Sequence, residues 1–198
     1  MKFVGKNIIR LDKEINELDK FVIRFIKILE KYTNYVIVSG YVSILFGRSR
    51  TTEDVDIFIE ELSKEKFNSF YVDLKKHGYW CLNAENTDEV YSYLEDGFSV
   101  RFALENKTIP NFEVKFAKDI SKKSALMDPL TVETKLGSVK ISSLERQIAY
   151  KKYYLNSEKD LEDAAHIEKL FKDDIDTSKV EQYKRYIKDE MAKTRKKQ

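Results

Sequence analysis

Residues 54–60 read Asp-Val-Asp-Ile-Phe-Ile-Glu, and their two-residue alternation constrains the fold more than any other feature of the chain. Such a period predicts a β-strand with Val55, Ile57 and Ile59 on one face and Asp54, Asp56 and Phe58 on the other. One face must be covered by a core, while the other presents two carboxylates side by side. The preceding residues sharpen the constraint. Tyr35-Val-Ile-Val38 is a short β-branched run of the kind found in buried strands, Ser39-Gly40 bounds it, and Tyr41 to Phe46 reads as a short helix stopped by Gly47. The order is therefore strand, small-residue bend, helix, loop, acidic strand.

The remaining chain alternates between the two periodicities. Leu11, Ile15, Leu18, Val22, Phe25 and Leu29 step by four and three and predict one long helix over 11–29. Glu61 to His77 predicts a second helix closed by Gly78. Tyr79 to Leu82 then reads as a strand, and a further helix passes through Val90 and Leu94. Phe98 to Leu104 and Phe112 to Ala117 alternate again, joined by the turn-rich link Glu105 to Asn111, which suits a hairpin. Leu130 to Ile141 reads as a last hairpin or edge strand. After it the pattern is wholly helical. Ser142 with Glu145 resembles a capping box, Ser157 with Asp160 another helix start, and Val180, Tyr183, Ile187 and Met191 a third helix.

These readings predict an α/β (α+β) fold with a mixed central sheet flanked by helices, spanning 1–141, and a C-terminal helical region, 142–198, packing on it. The chain has 198 residues, 42% of them hydrophobic, enough for one substantial core. Its single cysteine, Cys81, excludes an intramolecular disulfide and fits a reducing compartment, so the expected location is cytoplasmic. No run reaches the roughly 18 apolar residues of a membrane span, and the N-terminus lacks the pattern of a signal peptide. With 36 basic against 34 acidic residues the net charge is +2, which favours no class of partner. Only Lys193 to Lys197 is locally basic, and the plain reading of that tail is a solvated helix end.

The stretch from Val38 to Ile59 carries chemistry. Small residues such as Ser39 and Gly40 let a phosphate approach backbone N–H groups where a helix begins. Two carboxylates at i and i+2, Asp54 and Asp56, can share one hard divalent cation, Mg²⁺ or Mn²⁺. A cation beside a phosphate cradle is the equipment of nucleotidyl transfer. Glu113 lies on the non-core face of its strand, as Asp54 and Asp56 do on theirs.

The pattern resembles the DNA polymerase beta-like nucleotidyltransferase superfamily, and within it the small prokaryotic members that include abortive-infection (AbiE-type) toxins. Ser39-Gly40 matches the small pair, Gly47-Arg48-Ser49-Arg50 with Thr52 matches the linker, and Asp54-Val55-Asp56 matches the acidic pair. More weakly, Ile141 to Lys151 and Lys159 to Asp163 resemble two later helical motifs. The resemblance implies a nucleotidyltransferase that moves a nucleoside monophosphate from an NTP to a hydroxyl of RNA, protein or a small molecule. It implies Asp54, Asp56 and Glu113 as catalytic and metal residues. It also implies Ser39, Gly40, Arg48, Arg50 and Lys151 as groups that bind the nucleotide's phosphates. A toxin–antitoxin setting is part of what it implies. The alternative is a nucleotide-binding or regulatory member of the same fold without catalysis.

Other residues read more plainly. His77 and His166 have no partner at metal-ligand spacing, Cys81 reads as a small buried hydrophobe, and Asp160 and Asp163 as residues capping a helix and complementing its dipole. Tyr150, Tyr153 and Tyr154 cluster on one helix and suit either core packing or a base-stacking pocket.

Overall fold

A computed structural model describes residues 1–195. The chain opens with two short strands, β1 (Lys2–Gly5) and β2 (Ile8–Arg10), followed by α1 (Glu17–Leu29). Next come β3 (Tyr35–Val38), α2 (Gly40–Leu45), β4 (Asp54–Ile59), α3 (Lys64–Lys76), β5 (Tyr79–Cys81) and α4 (Thr87–Glu95). Then follow β6 (Val100–Leu104), β7 (Asn111–Phe116), α5 (Ile120–Met127) and the hairpin β8 (Pro129–Thr134) and β9 (Gly137–Ser142). The remainder is helical: α6 (Leu144–Tyr150), a π-helical turn (Lys151–Leu155), α7 (Glu158–Leu170) and α8 (Thr177–Arg195).

All the strands join one mixed sheet in the order β1-β2-β8-β9-β3-β4-β7-β6-β5. Two compact units arise. The first contains Met1–Tyr41 and Thr51–Ser142, and so the whole sheet; the second gathers Val42–Arg50 with the chain from Ser143 on. The segment carrying Arg48 and Arg50 therefore belongs with the C-terminal helices, although it precedes β4 in sequence.

In the first unit, the core is an aromatic layer between α1 and one face of the sheet. Phe21 and Phe25 stack on Phe112 with ring centroids 4.3 and 3.9 Å apart, and Phe25 also meets Phe70 and Phe102. These rings are buried, and offset stacking adds to the apolar area they remove from water. Val55, Ile57 and Ile59 are fully buried and Asp54, Asp56 and Phe58 are not, as the alternation predicts. On the acidic face, α5 packs Ala125 and Leu126 against Val36 and Ala117, with Val38 and Phe58 beside them. The helix covers the Phe58 level of that face and leaves the Asp56 level to other chemistry.

Several boundaries differ from expectation. The first helix begins at Glu17, not near Leu11. Asn16 accepts the Asp19 N–H at 2.8 Å while Asp19 accepts the Asn16 N–H at 3.1 Å, a reciprocal cap that fixes the start. Leu11 is nonetheless buried, as an extended residue bonded to β8 through Glu133. The helix following β9 is capped by Ser143 rather than Ser142, which ends the strand. The Ser157 cap is present. Phe98 is exposed and Ala103 buried, so the strand over 98–104 is shorter than its alternation and its second face is also covered. No helix among the described residues is long and apolar enough to cross a membrane. The basic tail extends beyond the described residues; within them, Lys193 pairs with Glu190 at 2.8 Å.

Candidate active site

The acidic face is assembled by two strand pairings. β4 and β7 run parallel with Asp54 opposite Asn111, Asp56 opposite Glu113 and Phe58 opposite Lys115. β6 and β7 run antiparallel with Arg101 opposite Glu113. One line across the sheet thus holds Asp56, Glu113 and Arg101, and alternation puts all three side chains on the face away from the aromatic core.

The charges in that line are unequal in environment. Burial, then the neighbouring charges of Asp54 and Glu113, push the Asp56 carboxyl up to about 6; a hydrogen bond from the Ser39 hydroxyl and the charge of Lys115 oppose the rise. Glu113 goes the other way. Burial alone would raise it, but hydrogen bonds from Arg101 and Lys115 outweigh that and hold it below the usual range. The Arg101 guanidinium donates to one Glu113 oxygen at 2.9 and 3.3 Å, and Lys115 pairs with the other at 3.1 Å.

Ser39 bridges strand and helix. Its φ of 62° lies in the left-handed region, unusual for a residue other than glycine, and this bend swings the chain from β3 into α2. The side chain bonded to Asp56 is thereby tied to the turn that begins α2, so Ser39, Gly40 and the acidic pair form one local assembly. Beside it, Asn111 spends both amide hydrogens on the Glu53 and Thr108 carbonyls, each at 3.2 Å. Its buried Oδ1, level with Asp54, has no protein partner.

Asp54 and Asp56 offer hard oxygen donors to a divalent cation. Asp56 is raised by its burial and then by neighbouring negative charge, which a cation would neutralise, and the orphaned Asn111 oxygen is of the same donor type. A Mg²⁺ ion is commonly held by one or two carboxylates with substrate phosphates completing its shell, and Asp54 and Asp56 are carboxylates of that kind. Among the described residues, no three His, Cys, Asp or Glu side chains gather in a geometry that holds a metal. Glu113 is in register for the role, but Arg101 and Lys115 occupy both its oxygens.

The predicted phosphate-binding cations form a separate group within the second unit. Arg48 pairs with Asp163 and Glu162, Arg50 with Asp163 at 2.5 Å, and Lys151 with Asp163 at 2.7 Å and Asp160 at 3.5 Å. Lys151 is 1% exposed and Asp163 fully buried, so this network ties the Val42–Arg50 segment to α7 and the π-helical turn. Asp163 is lowered because contacts from Lys151 and Arg48 and the charge of Arg50 outweigh its burial.

Asp163, read as complementing a helix dipole, is instead the buried partner of three cations, and α7 is capped by Ser157. His77 contacts the Asp73 carbonyl at 2.8 Å, His166 the Phe46 carbonyl at 3.2 Å, and Cys81 is a buried free thiol. Tyr150 and Tyr154 lie 5.9 Å apart with Tyr154 exposed, while Lys184 sits over Tyr153. Sequence reading passed over Arg101 and Asn111. The Arg101 signal was available, since its alternation with Val100 and Phe102 puts it on the polar face.

No family model matches the chain, and no curated protein matches it in sequence. Solved structures do. A solution structure of the antibiotic-resistance factor ANT(2'')-Ia aligns over 89% of this chain and 96% of its own, with a TM-score of 0.53 and 15% identity. The chain has a nucleotidyltransferase fold. A crystal structure of ANT(2'')-Ia in complex with adenylyl-2''-tobramycin aligns over 87% of this chain and 97% of its own, with a TM-score of 0.53 and 13% identity. The nucleotidyltransferase fold thus extends over most of the chain.

Proposed function

We propose that this chain is a divalent-cation-dependent nucleotidyltransferase that moves a nucleoside monophosphate from an NTP to a hydroxyl acceptor. The observation that carries the reading is the line of Ser39, Asp56 and Glu113, with Asp54 beside it, on the open face of a nucleotidyltransferase fold.

Asp54 and Asp56 would hold Mg²⁺ or Mn²⁺, which when bound neutralises charge on the transferring phosphoryl group. Ser39 and Gly40 orient the triphosphate through backbone N–H groups at the start of α2, and the Ser39 hydroxyl fixes the Asp56 carboxylate. Glu113, once released by Arg101 and Lys115, would share the cation or accept the proton of the attacking hydroxyl. The hydroxyl oxygen bonds to the α-phosphorus as the bond from the α-phosphorus to the bridging oxygen breaks, and pyrophosphate leaves. Arg48, Arg50 and Lys151 are assigned instead to holding the Val42–Arg50 segment through Asp163.

Among RNA, protein and small molecules as acceptors, the complex of ANT(2'')-Ia with an adenylylated aminoglycoside favours a small polyhydroxylated one. A regulatory, nucleotide-binding role without catalysis is the second reading, favoured by the two ion pairs that hold Glu113. Incubation with each α-labelled NTP, Mg²⁺ or Mn²⁺ and pooled tRNA, cell protein or aminoglycosides separates them. Transfer that disappears in Asp54→Ala/Asp56→Ala supports the enzyme. Nucleotide binding without transfer under every condition supports the regulator, and transfer that persists in the double variant overturns the site.

A further inference from the structure

Glu113 stands opposite Asp56, yet the three carboxylates are not gathered for a metal. Glu113 is engaged on its other side. Arg101 stands opposite Glu113 across the next ladder and donates from Nε and Nη2 to a single carboxylate oxygen. Its backbone is pinned at both polar groups: its N–H donates to Asn83 Oδ1 at 2.5 Å, and its carbonyl accepts from the Leu82 N–H at 2.8 Å. Lys115 holds the other Glu113 oxygen, but through a flexible four-carbon stem that can follow the carboxylate as it moves. The guanidinium is the rigid member of the pair, a planar fork launched from a fixed strand position.

We propose that Arg101 is a positioning residue of the acidic face, which acts through Glu113 by withholding this third carboxylate from a divalent cation on Asp54 and Asp56. The inference rests on the cation reading given above and adds to it that the site is a carboxylate pair at rest and becomes a triad only when the fork lets go. Phosphate oxygens compete with carboxylates for such forks, so an arriving nucleotide is the natural agent of release. The half-exposed Arg101 side chain is open to that exchange.

The test is Mn²⁺ affinity in the absence of nucleotide, read from the electron paramagnetic resonance signal of free Mn²⁺. It compares wild type, Arg101→Met, Glu113→Gln and the double variant, each checked for an unchanged thermal transition. Arg101→Met is expected to tighten Mn²⁺ binding at least about tenfold, because it frees a carboxylate ligand. In the Glu113→Gln background the same change should tighten it about threefold or less, the residue of losing one nearby positive charge. Equal gains in both backgrounds overturn the proposal, since Arg101 then acts as a simple charge, and no gain in either overturns it as well. Asp54→Asn/Asp56→Asn serves as the reference. If it leaves Mn²⁺ affinity unchanged, the cation reading itself fails, whereas binding lost in that variant with equal Arg101 effects removes only the positioning role.

Discussion

Asp56 and Glu113 face each other across the β4–β7 ladder, and their surroundings drive the two carboxyls in opposite directions. Asp56 receives one neutral hydroxyl and the charge of Lys115 against two neighbouring carboxylates; Glu113 receives two cations directly. A pair of acids separated in this way is the arrangement by which one group stays charged near neutrality while the other titrates close to it.

The first prediction is a stability profile. Asp56 has a folded-state value of about 6 against an ordinary 3.8, so the native state holds the proton more tightly than the unfolded chain. Its favourable contribution is complete below pH about 4 and is lost as pH rises through 6. In chelator, Asp56→Asn should therefore raise the unfolding temperature at pH 8 and have little effect at pH 4, with an upper bound of about 3 kcal/mol. Thermal denaturation at the two pH values checks it. Added Mn²⁺ should stabilise wild type and not the variant.

Glu113 carries the opposite sign. Its lowered value means stability that is present above the ordinary carboxylate range and lost on acidification. Glu113→Gln should cost stability at pH 7 and nothing at pH 3, as measured by urea unfolding. On activity, the variant should lower kcat by about 10²- to 10⁴-fold, the contribution of a positioned proton acceptor.

The buried network around Asp163 predicts a large mutational cost. Asp163→Ala leaves the fully buried Lys151 with Asp160 alone at 3.5 Å and deprives Arg48 and Arg50 of a shared partner. Breaking a buried ion pair from one side costs about 3–5 kcal/mol. Chemical unfolding should show a loss of that size, and Lys151→Met/Asp163→Leu should recover much of it.

Much of the acidic face was legible because its evidence is a two-residue period. Asp54 to Ile59 and Phe112 to Phe116 each show buried and open positions in turn, so the side bearing Asp54, Asp56 and Glu113 followed from alternation, and only their mutual register required the structure. The elements that were missed lack such a period. β1 exposes most of its four residues, so it shows no apolar face, and α5 leaves Ile120 and Met127 exposed while burying only Ala125 and Leu126. The start of α1 was displaced because Leu11 and Ile15 happen to continue the helical spacing, and the Asn16 cap overrides it. Arg48, Arg50 and Lys151 could be singled out as cations, but the arginines reach Asp163 across more than a hundred residues of chain, which no local pattern encodes.

The aromatic core offers a control distant from the chemistry. Phe25 is fully buried between Phe70, Tyr79, Phe102 and Phe112. Phe25→Ala should destabilise by about 3–5 kcal/mol, while Phe25→Leu should cost clearly less. Both should retain Mn²⁺ affinity wherever they remain folded, as judged by circular dichroism with a metal titration.

The most direct measurement is a crystal structure with Mn²⁺ and a non-hydrolysable NTP, in which anomalous scattering locates the metal. The account predicts a peak within ligating distance of both Asp54 and Asp56, with triphosphate oxygens completing its shell beside the Ser39-Gly40 bend. A nucleotide bound with its metal elsewhere, or phosphates seated away from that bend, would contradict it.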